Sequence, residues 1–493
     1  MGYNRGSFYA IVIMIFMCFQ PSKGIGYMAP YAFIVLVLVL ARPAGLIPRM
    51  GMWLAVWGML AGLYVVVDHS FEPQSFILAF ITYSSFVVMF IPSSFFSPAL
   101  FARVRKFLVP FVVIESGIGI LQALIGHSIK GTFDKGNGDV VRGTMALGFA
   151  VDPNIANSMF IISLVFLILA LYPLVAARKS GYVWLGMGIL TVILASVMHV
   201  ILLVAAAVVF ANFCMNAHRL KTIAAMAGGL ALVFGLVLTI LPKNMDDIGY
   251  FEEQLMEGAT PKAQLFLTSF LILPQEVPSM MFVGLGPGQF SSRAAMISTG
   301  QYLNAKGGGE QLPLLKDRIP EYTGRYEIPL WNETEAVTTN GSTQTCFASW
   351  AAVATEFGYV FLVALIGAIV TMVLRITLKV HRASNAVHIA YFRREGLVLI
   401  AAVTFLFTLG FQENYWEMPQ AILVGLVLMR FMYTSLMTTI PSAVATPRPG
   451  DLWHTTAKLV TEGGGEVRAN AFENRSNHRR YFEAGRVGWK LFV

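Results

Sequence analysis

Charged residues are scarce in this 493-residue sequence, where Asp, Glu, Lys and Arg together make up 13% of the chain. An ordinary soluble domain carries about 25%, so a soluble globular body is excluded for most of the chain. Hydrophobic residues make up 56%. Because a transmembrane helix needs about 20 mainly apolar residues, the chain has room for about a dozen membrane spans and one large loop.

Cysteines are few, and the three present, Cys18, Cys214 and Cys346, lie far apart in the sequence. This spacing supports neither a disulfide framework nor a cysteine metal cluster. The sequence also contains no HExxH, paired CxxC or GxSxG motif, which disfavours metal-assisted hydrolysis and serine-hydrolase chemistry. We therefore expect no metal and no cofactor.

Apolar runs bounded by charged residues and by Gly or Pro breaks predict an all-α polytopic membrane protein with about twelve transmembrane helices. The predicted spans lie near residues 8–19, 27–41, 51–67, 76–91, 107–126, 155–175, 181–197, 200–214, 222–241, 347–374, 395–411 and 418–436. The first run is followed by no small-residue cleavage site, so we interpret it as a retained span and not as a signal peptide.

Basic residues concentrate in alternate loops, and the cytoplasmic loops of membrane proteins carry the excess of Lys and Arg. These loops hold Arg42 and Arg49; Arg103, Arg105 and Lys106; Arg178 and Lys179; Arg219 and Lys221; and Arg375, Lys379, Arg382, Arg393 and Arg394. Both termini are therefore predicted to be cytoplasmic. This topology accounts for the net charge of +8, so the expected partner is the lipid bilayer and no nucleic acid.

The segment 242–346, between the ninth and tenth predicted spans, is acidic, with twelve Asp or Glu and seven Lys or Arg residues. A structureless loop of this length is improbable in a compact protein, and the apolar stretch 263–273 is typical of a helix. We predict a large, partly helical cap on the outer face. The chain then divides into nine spans in 1–241, the cap in 242–346, three spans in 347–436 and a mobile cytoplasmic tail in 437–493.

Ionisable residues within predicted spans are costly in hydrocarbon and are therefore candidates for function. Glu115 and Glu356 stand out, although each could instead be a hydrogen-bonded scaffold residue. Arg142, at the outer interface, could bind a phosphate with two parallel hydrogen bonds or serve as an interfacial anchor. Asn154 follows Pro153 at the start of a predicted span, where the pair can cap the helix.

The run Gly-Leu-Gly-Pro-Gly-Gln-Phe at 284–290 superficially resembles a phosphate-binding loop. It lacks the Lys-Ser/Thr ending and the strand-to-helix context of nucleotide sites, so we interpret it as a tight turn. Arg293 lies five residues after Gly288. It could face the same cavity as Arg142.

Three motifs occur in an order that resembles the O-antigen ligase and O-antigen polymerase superfamily. They are Arg142-Gly143 followed by Pro153-Asn154 before a span, the glycine run at 284–290, and Thr-Glu-Phe-Gly at 355–358 in the span after the large loop. The twelve-span layout with a large outer loop between the ninth and tenth spans also fits, so the resemblance covers residues 1–436.

The resemblance implies a metal-independent membrane glycosyltransferase at the periplasmic face of the bacterial inner membrane. Such an enzyme transfers a glycan from an undecaprenyl-diphosphate donor to an acceptor glycan, and other polysaccharide-assembly proteins are candidate partners. The residues implied as catalytic are Arg142, Arg293, Glu356 and His199, and those implied as substrate-binding are Asn154, Gly286, Gly288, Arg318 and Arg325.

Two departures from the superfamily pattern bear on the reaction. The stretch before the tenth span, 342–346, contains no His, so the catalytic base is unassigned. Where members often carry a Ser-Arg pair, this chain has Ser196 and then His199, a candidate base, phosphate donor or structural residue. These departures favour a polysaccharide polymerase over a ligase that attaches polymer to lipid A-core. A transporter or flippase, and a non-catalytic assembly partner, are the alternatives.

Overall fold

The computed structural model describes residues 5–20, 22–67, 71–130, 140–147, 153–175, 181–195, 197–215, 260–300, 319–336, 346–382 and 389–444. All regular secondary structure in these ranges is helical. The all-α prediction is confirmed for the described part of the chain.

The described residues before the large loop form eight α-helices. They are α1 (Arg5–Cys18), α2 (Lys23–Leu36), α3 (Leu46–Val67), α4 (Pro73–Thr82), α5 (Pro98–Lys130), α6 (Pro153–Val175), α7 (Gly181–Leu194) and α8 (Met198–Met215). A π-helical turn, Val37–Ala41, extends α2, and 3₁₀ turns follow at Tyr83–Phe90, Ser93–Phe95 and Gly143–Leu147.

The described residues from 260 onward form nine more α-helices. They are α9 (Pro261–Leu267), α10 (Leu273–Glu276), α11 (Met280–Val283), α12 (Arg293–Ser298), α13 (Ile328–Ala336), α14 (Ser349–Phe357), α15 (Tyr359–Arg382), α16 (Ile389–Gln412) and α17 (Pro419–Val444). The π-helical turn Thr268–Ile272 joins α9 to α10, a second at Thr323–Glu327 leads into α13, and a 3₁₀ turn at Tyr415–Glu417 lies between α16 and α17. The helix predicted over 263–273 is therefore present.

Nine helices within the described ranges are long and apolar enough to cross a membrane, so the chain is a multi-pass α-helical membrane protein. They are Gly24–Ala41, Leu46–Val66, Pro73–Phe90, Pro98–Gly126, Ala156–Leu174, Met198–Met215, Tyr359–Arg382, Ala390–Gln412 and Pro419–Thr439. Each overlaps a predicted span. The predicted spans 8–19 and 181–197 correspond to shorter apolar helices, Arg5–Cys18 and Gly181–Leu194, and 222–241 lies outside the described residues.

The predicted span 347–374 is interrupted, which corrects the placement of Glu356. Gly358 ends α14 with φ +88°, and a Cβ there would lie 2.8 Å from the carbonyl oxygen of Phe282. Only glycine adopts such a conformation readily, so the chain turns at this point. The candidate span begins at Tyr359, and Glu356 lies just outside it in the short helix α14.

The centre of the bundle is formed by α6, α16 and α17. Phe160 and Phe166 of α6 and Phe405 of α16 are fully buried or nearly so, and Ser163 Oγ donates a hydrogen bond to the Gln420 carbonyl at 2.6 Å. By contrast, α3 and α15 expose long rows of apolar side chains. A hydrocarbon surrounding accounts for this pattern, because lipid and not protein covers the outward faces.

Candidate functional site

A short segment of chain, residues 289–294, is enclosed by three buried glutamates from different parts of the sequence. The Phe290 N–H donates to Glu356 Oε1 at 3.2 Å, and the Ser291 N–H donates to Glu327 Oε2 at 3.0 Å. The Ala294 N–H donates to Glu417 Oε2 at 3.3 Å. Side chains from α14, from the turn Thr323–Glu327 and from the turn Tyr415–Glu417 therefore meet on one segment, which we call the docked segment.

The glycine run before the docked segment packs against the end of α14. The Leu285 N–H donates to the Thr355 carbonyl at 2.7 Å, and the Gly286 N–H donates to the Glu356 carbonyl at 3.0 Å. Gly288 has φ +81°, and a Cβ on it would lie 2.1 Å from the Ser75 carbonyl oxygen. The predicted tight turn is confirmed, and the N–H groups of Gly286 and Phe290, which a phosphate-binding loop would present to its ligand, donate to Glu356 instead.

Arg293 is 1% exposed and forms an ion pair with Glu413, with Nη2 3.0 Å from Oε1. Its guanidinium also lies over the Phe347 ring, 5.1 Å from the ring centroid. Leaving one charge of a buried pair without its partner costs about 3–5 kcal/mol. Arg293 therefore fastens α12 to the end of α16.

His199 is connected to the same place by Tyr415. The His199 Nε2 and the Tyr415 hydroxyl are 3.0 Å apart, and the two rings are nearly parallel. The Tyr415 N–H donates to the Glu413 carbonyl at 2.8 Å. His199, the second residue of α8, is therefore hydrogen-bonded to the connection between α16 and α17, residues 413–418.

Lys262, at the start of α9, adds a second cation to this region. Its Nζ donates a hydrogen bond to the Gln412 carbonyl. Burial lowers the pKa of Lys262 to about 8, and the carboxylate of Glu413 acts in the opposite direction. Lys262 and Arg293 therefore both interact electrostatically with Glu413.

Acidic groups outnumber basic ones here, because Glu327, Glu356, Glu413 and Glu417 face Arg293 and Lys262. Burial raises the pKa of Glu327 and of Glu356 well above the usual value. It raises the pKa of Glu417 to about 7, against the favourable charge of Arg293. The charge of Glu417 further raises the pKa of Glu356, so ionisation of one carboxyl opposes ionisation of the other.

Arg142 lies in a separate turn that α5 holds in place. Gln122 Oε1 accepts hydrogen bonds from the N–H groups of Arg142 and Gly143, at 2.8 and 2.9 Å. The Glu115 carboxylate accepts from the Thr144 N–H at 2.9 Å and from the Thr144 hydroxyl at 2.7 Å. Glu115 and Gln122 therefore fix the turn that carries Arg142, whose side chain is half-buried.

This turn lies at the same end of the bundle as the docked segment. The Thr144 hydroxyl donates to the Phe19 carbonyl at 2.9 Å, and Gln420 Nε2 donates to the neighbouring Gln20 carbonyl at 2.8 Å. Gln420 is the second residue of α17 and lies three residues after Glu417. The end of α1 thus connects the Arg142 turn to the residues around Glu417.

The predicted site residues lie in three places: around the docked segment and the 413–418 connection, in the turn that carries Arg142, and near Arg325. Arg293, Glu356 and His199 converge on the docked segment and the 413–418 connection, with Gly286 and Gly288 beside them. Arg325 lies apart in a mostly exposed ion pair with Glu276, 3.3 Å long. Asn154 is the second residue of α6, but its side chain lies outside the described residues, as do Ser196 and Arg318.

Four residues of this region were not singled out from the sequence: Lys262, Glu327, Glu413 and Glu417. A signal was present for two of them, because Glu413 and Glu417 lie in a five-residue stretch between two long apolar runs. Carboxylates at the ends of spans are equally typical of ordinary loops. Only the fold shows that these two point inward.

Comparison with known proteins gives no match to any family model, curated protein or solved structure. Among the described residues no group of three or more His, Cys, Asp or Glu side chains is arranged to hold a metal ion.

Proposed function

We propose that this protein is a membrane glycosyltransferase that polymerises lipid-linked glycan repeats at the periplasmic face of a bacterial inner membrane. The proposal includes the O-antigen ligase and polymerase type of architecture, with twelve spans and the large outer loop after the ninth. One observation carries it. His199, Arg293 and Glu356, which come from three distant stretches of sequence, meet around the 413–418 connection.

The proposed glycosyl transfer needs positively charged side chains close to a general base. An acceptor hydroxyl attacks the anomeric carbon of the donor glycan, the bond from that carbon to the phosphate oxygen breaks, and undecaprenyl diphosphate leaves with the bonding electrons. The hydroxyl proton passes to a base, and positive groups stabilise the charge that develops on the diphosphate. In this proposal the half-buried Arg142 contacts the diphosphate, and Arg293, which is buried and paired with Glu413, holds the surrounding elements in place. The half-buried His199 is the base.

A transporter or flippase is the second candidate, and one observation favours it. The helical path is broken at Gly358, and the buried Glu356 lies two residues before the break. Transporters commonly place their sites at interrupted helices. A ligase is a further alternative, which the absence of a His in 342–346 makes the weaker member of the glycosyltransferase class.

Deletion of the gene, followed by analysis of lipid-linked and surface glycans, separates these functions. A polymerase predicts accumulation of single lipid-linked repeats, whereas a ligase predicts long lipid-linked polymer. Repeats trapped on the cytoplasmic side would indicate a flippase and overturn the proposal.

Complementation with Arg142→Ala tests the site. It should leave single repeats unpolymerised although the variant reaches the membrane in normal amount. Arg49→Ala, in the first turn of α3 at an end predicted to be cytoplasmic, is the matched control and should restore polymer. Normal chain lengths with Arg142→Ala would contradict the assigned role.

A further inference from the structure

Each glutamate around the docked segment uses one carboxyl oxygen and leaves the other without a partner. Glu327, Glu356 and Glu417 are all 0% exposed. Glu356 Oε2, Glu327 Oε1 and Glu417 Oε1 have no hydrogen-bond donor, although the second oxygen of each carboxyl accepts from the docked segment. A buried carboxylate oxygen without a donor is costly, whereas a protonated carboxyl removes that cost because the proton neutralises the charge.

The surroundings do not supply enough positive charge to ionise all three carboxyls. Arg293 is the cation nearest to Glu417, and it is already paired with Glu413. The other titratable groups facing the three carboxyls are the Tyr83 hydroxyl beside Glu417 and Glu356, the Tyr64 hydroxyl beside Glu356, the Cys346 thiol beside Glu327, and Lys262 beside Cys346 and Glu413. Both tyrosines and the thiol are neutral in their ordinary state.

The docked segment depends on these carboxyls for its position. Three of its N–H groups donate to them, while Asn414 Nδ2 donates to the Ser291 carbonyl at 2.6 Å and the Thr323 hydroxyl donates to the Gln289 carbonyl at 2.8 Å. Thr323 lies four residues before Glu327, and Asn414 lies three residues before Glu417. Repulsion between ionised carboxyls would therefore separate the very elements that hold the segment.

We propose that Glu327, Glu356 and Glu417 form a proton-binding site, which keeps residues 289–294 docked while it is protonated and releases them when its carboxyls ionise. Each ionisation sends one proton to water and leaves one more negative charge beside the other two carboxyls. The raised pKa of each carboxyl outside the spans has the direction that this requires. The site couples the pH of the outer compartment to the conformation of the Arg293 region, independently of which reaction the protein carries out.

Infrared spectroscopy of the purified full-length protein in nanodiscs tests protonation directly, without any activity measurement. At neutral pH the wild type should show the carbonyl band of protonated, water-excluded carboxyl groups, and the band should disappear as pH is raised. Glu356→Gln, Glu327→Gln and Glu417→Gln should each remove part of it. Glu395→Gln is the control, because both oxygens of the Glu395 carboxyl accept hydrogen bonds from Arg105. A wild-type spectrum without the band at neutral pH would overturn the proposal, and that outcome needs no variant to fold.

Hydrogen exchange tests the link to the docked segment. Protection of the Phe290, Ser291 and Ala294 amides, corrected for intrinsic exchange, should fall about tenfold per pH unit for each proton released. In Glu417→Gln the fall should be shallower, because the amide cannot ionise. Protection that follows sodium concentration and ignores pH would mean that a cation occupies the carboxyls, and it would also overturn the proposal.

Discussion

Arg293 and Glu413 pair at 3.0 Å at one end of α16, and Arg105 pairs with Glu395 at the other end. Glu395 and Glu413 are 18 residues apart, a helical distance of about 27 Å, close to the roughly 30 Å of a bilayer's hydrocarbon core. Both ion pairs are buried. The protein therefore fastens α16 to its neighbours near both faces of the membrane, once with a scaffold pair and once within the candidate site.

Removing one partner of the Arg293–Glu413 pair should destabilise the protein more than removing both. We expect Arg293→Met to lower the free energy of unfolding by about 3–5 kcal/mol, because Glu413 is left buried without its partner. Arg293→Met/Glu413→Gln should recover most of this loss. Thermal unfolding in detergent measures both, and strictly additive losses would show that the two residues are not coupled. The corresponding Arg105 and Glu395 variants give a matched comparison away from the site.

Alanine at Gly288 should be more damaging than alanine at a glycine on the outside of the bundle. The φ of +81° and the 2.1 Å approach to the Ser75 carbonyl leave no room for a Cβ, so Gly288→Ala should cost about 1–3 kcal/mol in strain. Gly367, in α15, has nothing within 4 Å of an added Cβ. Gly367→Ala should therefore leave the melting temperature unchanged or raise it, and equal effects of the two substitutions would contradict the packing of the glycine run.

Apolar run length predicted most of the helices, because a span must satisfy its backbone hydrogen bonds internally and must be apolar along its whole length. This is a local property, visible in any 20-residue window. The break at Gly358 was missed for a related reason. The residues on both sides of Gly358 are apolar, and a single glycine in such a run is compatible with a continuous helix until its partner, here the Phe282 backbone, is known.

The site was predictable only in part, because its members are brought together by tertiary contacts. Arg293, Glu356 and His199 could be selected as polar residues in unusual places, but nothing local indicates that Glu356 accepts hydrogen bonds from the glycine run. Glu327 lies in a polar stretch of the large loop, where a carboxylate is not unusual. Its burial depends on a turn, Thr323–Glu327, whose first residue donates a hydrogen bond to the docked segment.

Protein stability should fall as pH rises through neutrality. The folded pKa of Glu417, about 7, is above its ordinary value of 4.5, so the folded state binds more protons than the unfolded state between these values. Stability is therefore fully present below 4.5 and is lost as pH rises through 7, by about 3 kcal/mol for this residue. Melting temperatures across this range measure the effect. Glu417→Gln should flatten the profile, and a wild-type melting temperature that rises over the same range would contradict it.

Gln122→Ala should reduce glycan polymerisation without reducing the amount of protein in the membrane. The Gln122 amide makes three hydrogen bonds to the backbone of Arg142 and Gly143, and a displacement of about 1 Å at a reacting group can cost about 100-fold in rate. Asn212→Ala is the matched control, since that amide donates to the Val208 carbonyl within α8. Polymer of normal length and yield from Gln122→Ala would show that the position of Arg142 does not limit the reaction.

Cys346 should resist thiol reagents as long as the protein is folded. Its side chain is 0% exposed, and burial, with Glu327 and Glu413 nearby, holds the pKa of its thiol well above the usual value. Since the thiolate is the reactive form, a variant with Cys18→Ala and Cys214→Ala should take up a maleimide at neutral pH only after denaturation in detergent. Adding Glu327→Gln should leave this protection intact, because exclusion of the reagent and not charge dominates. Rapid labelling of the folded variant would mean that the segment just before α14 is open to water, and the buried position of Glu356, ten residues after Cys346, would then also be wrong.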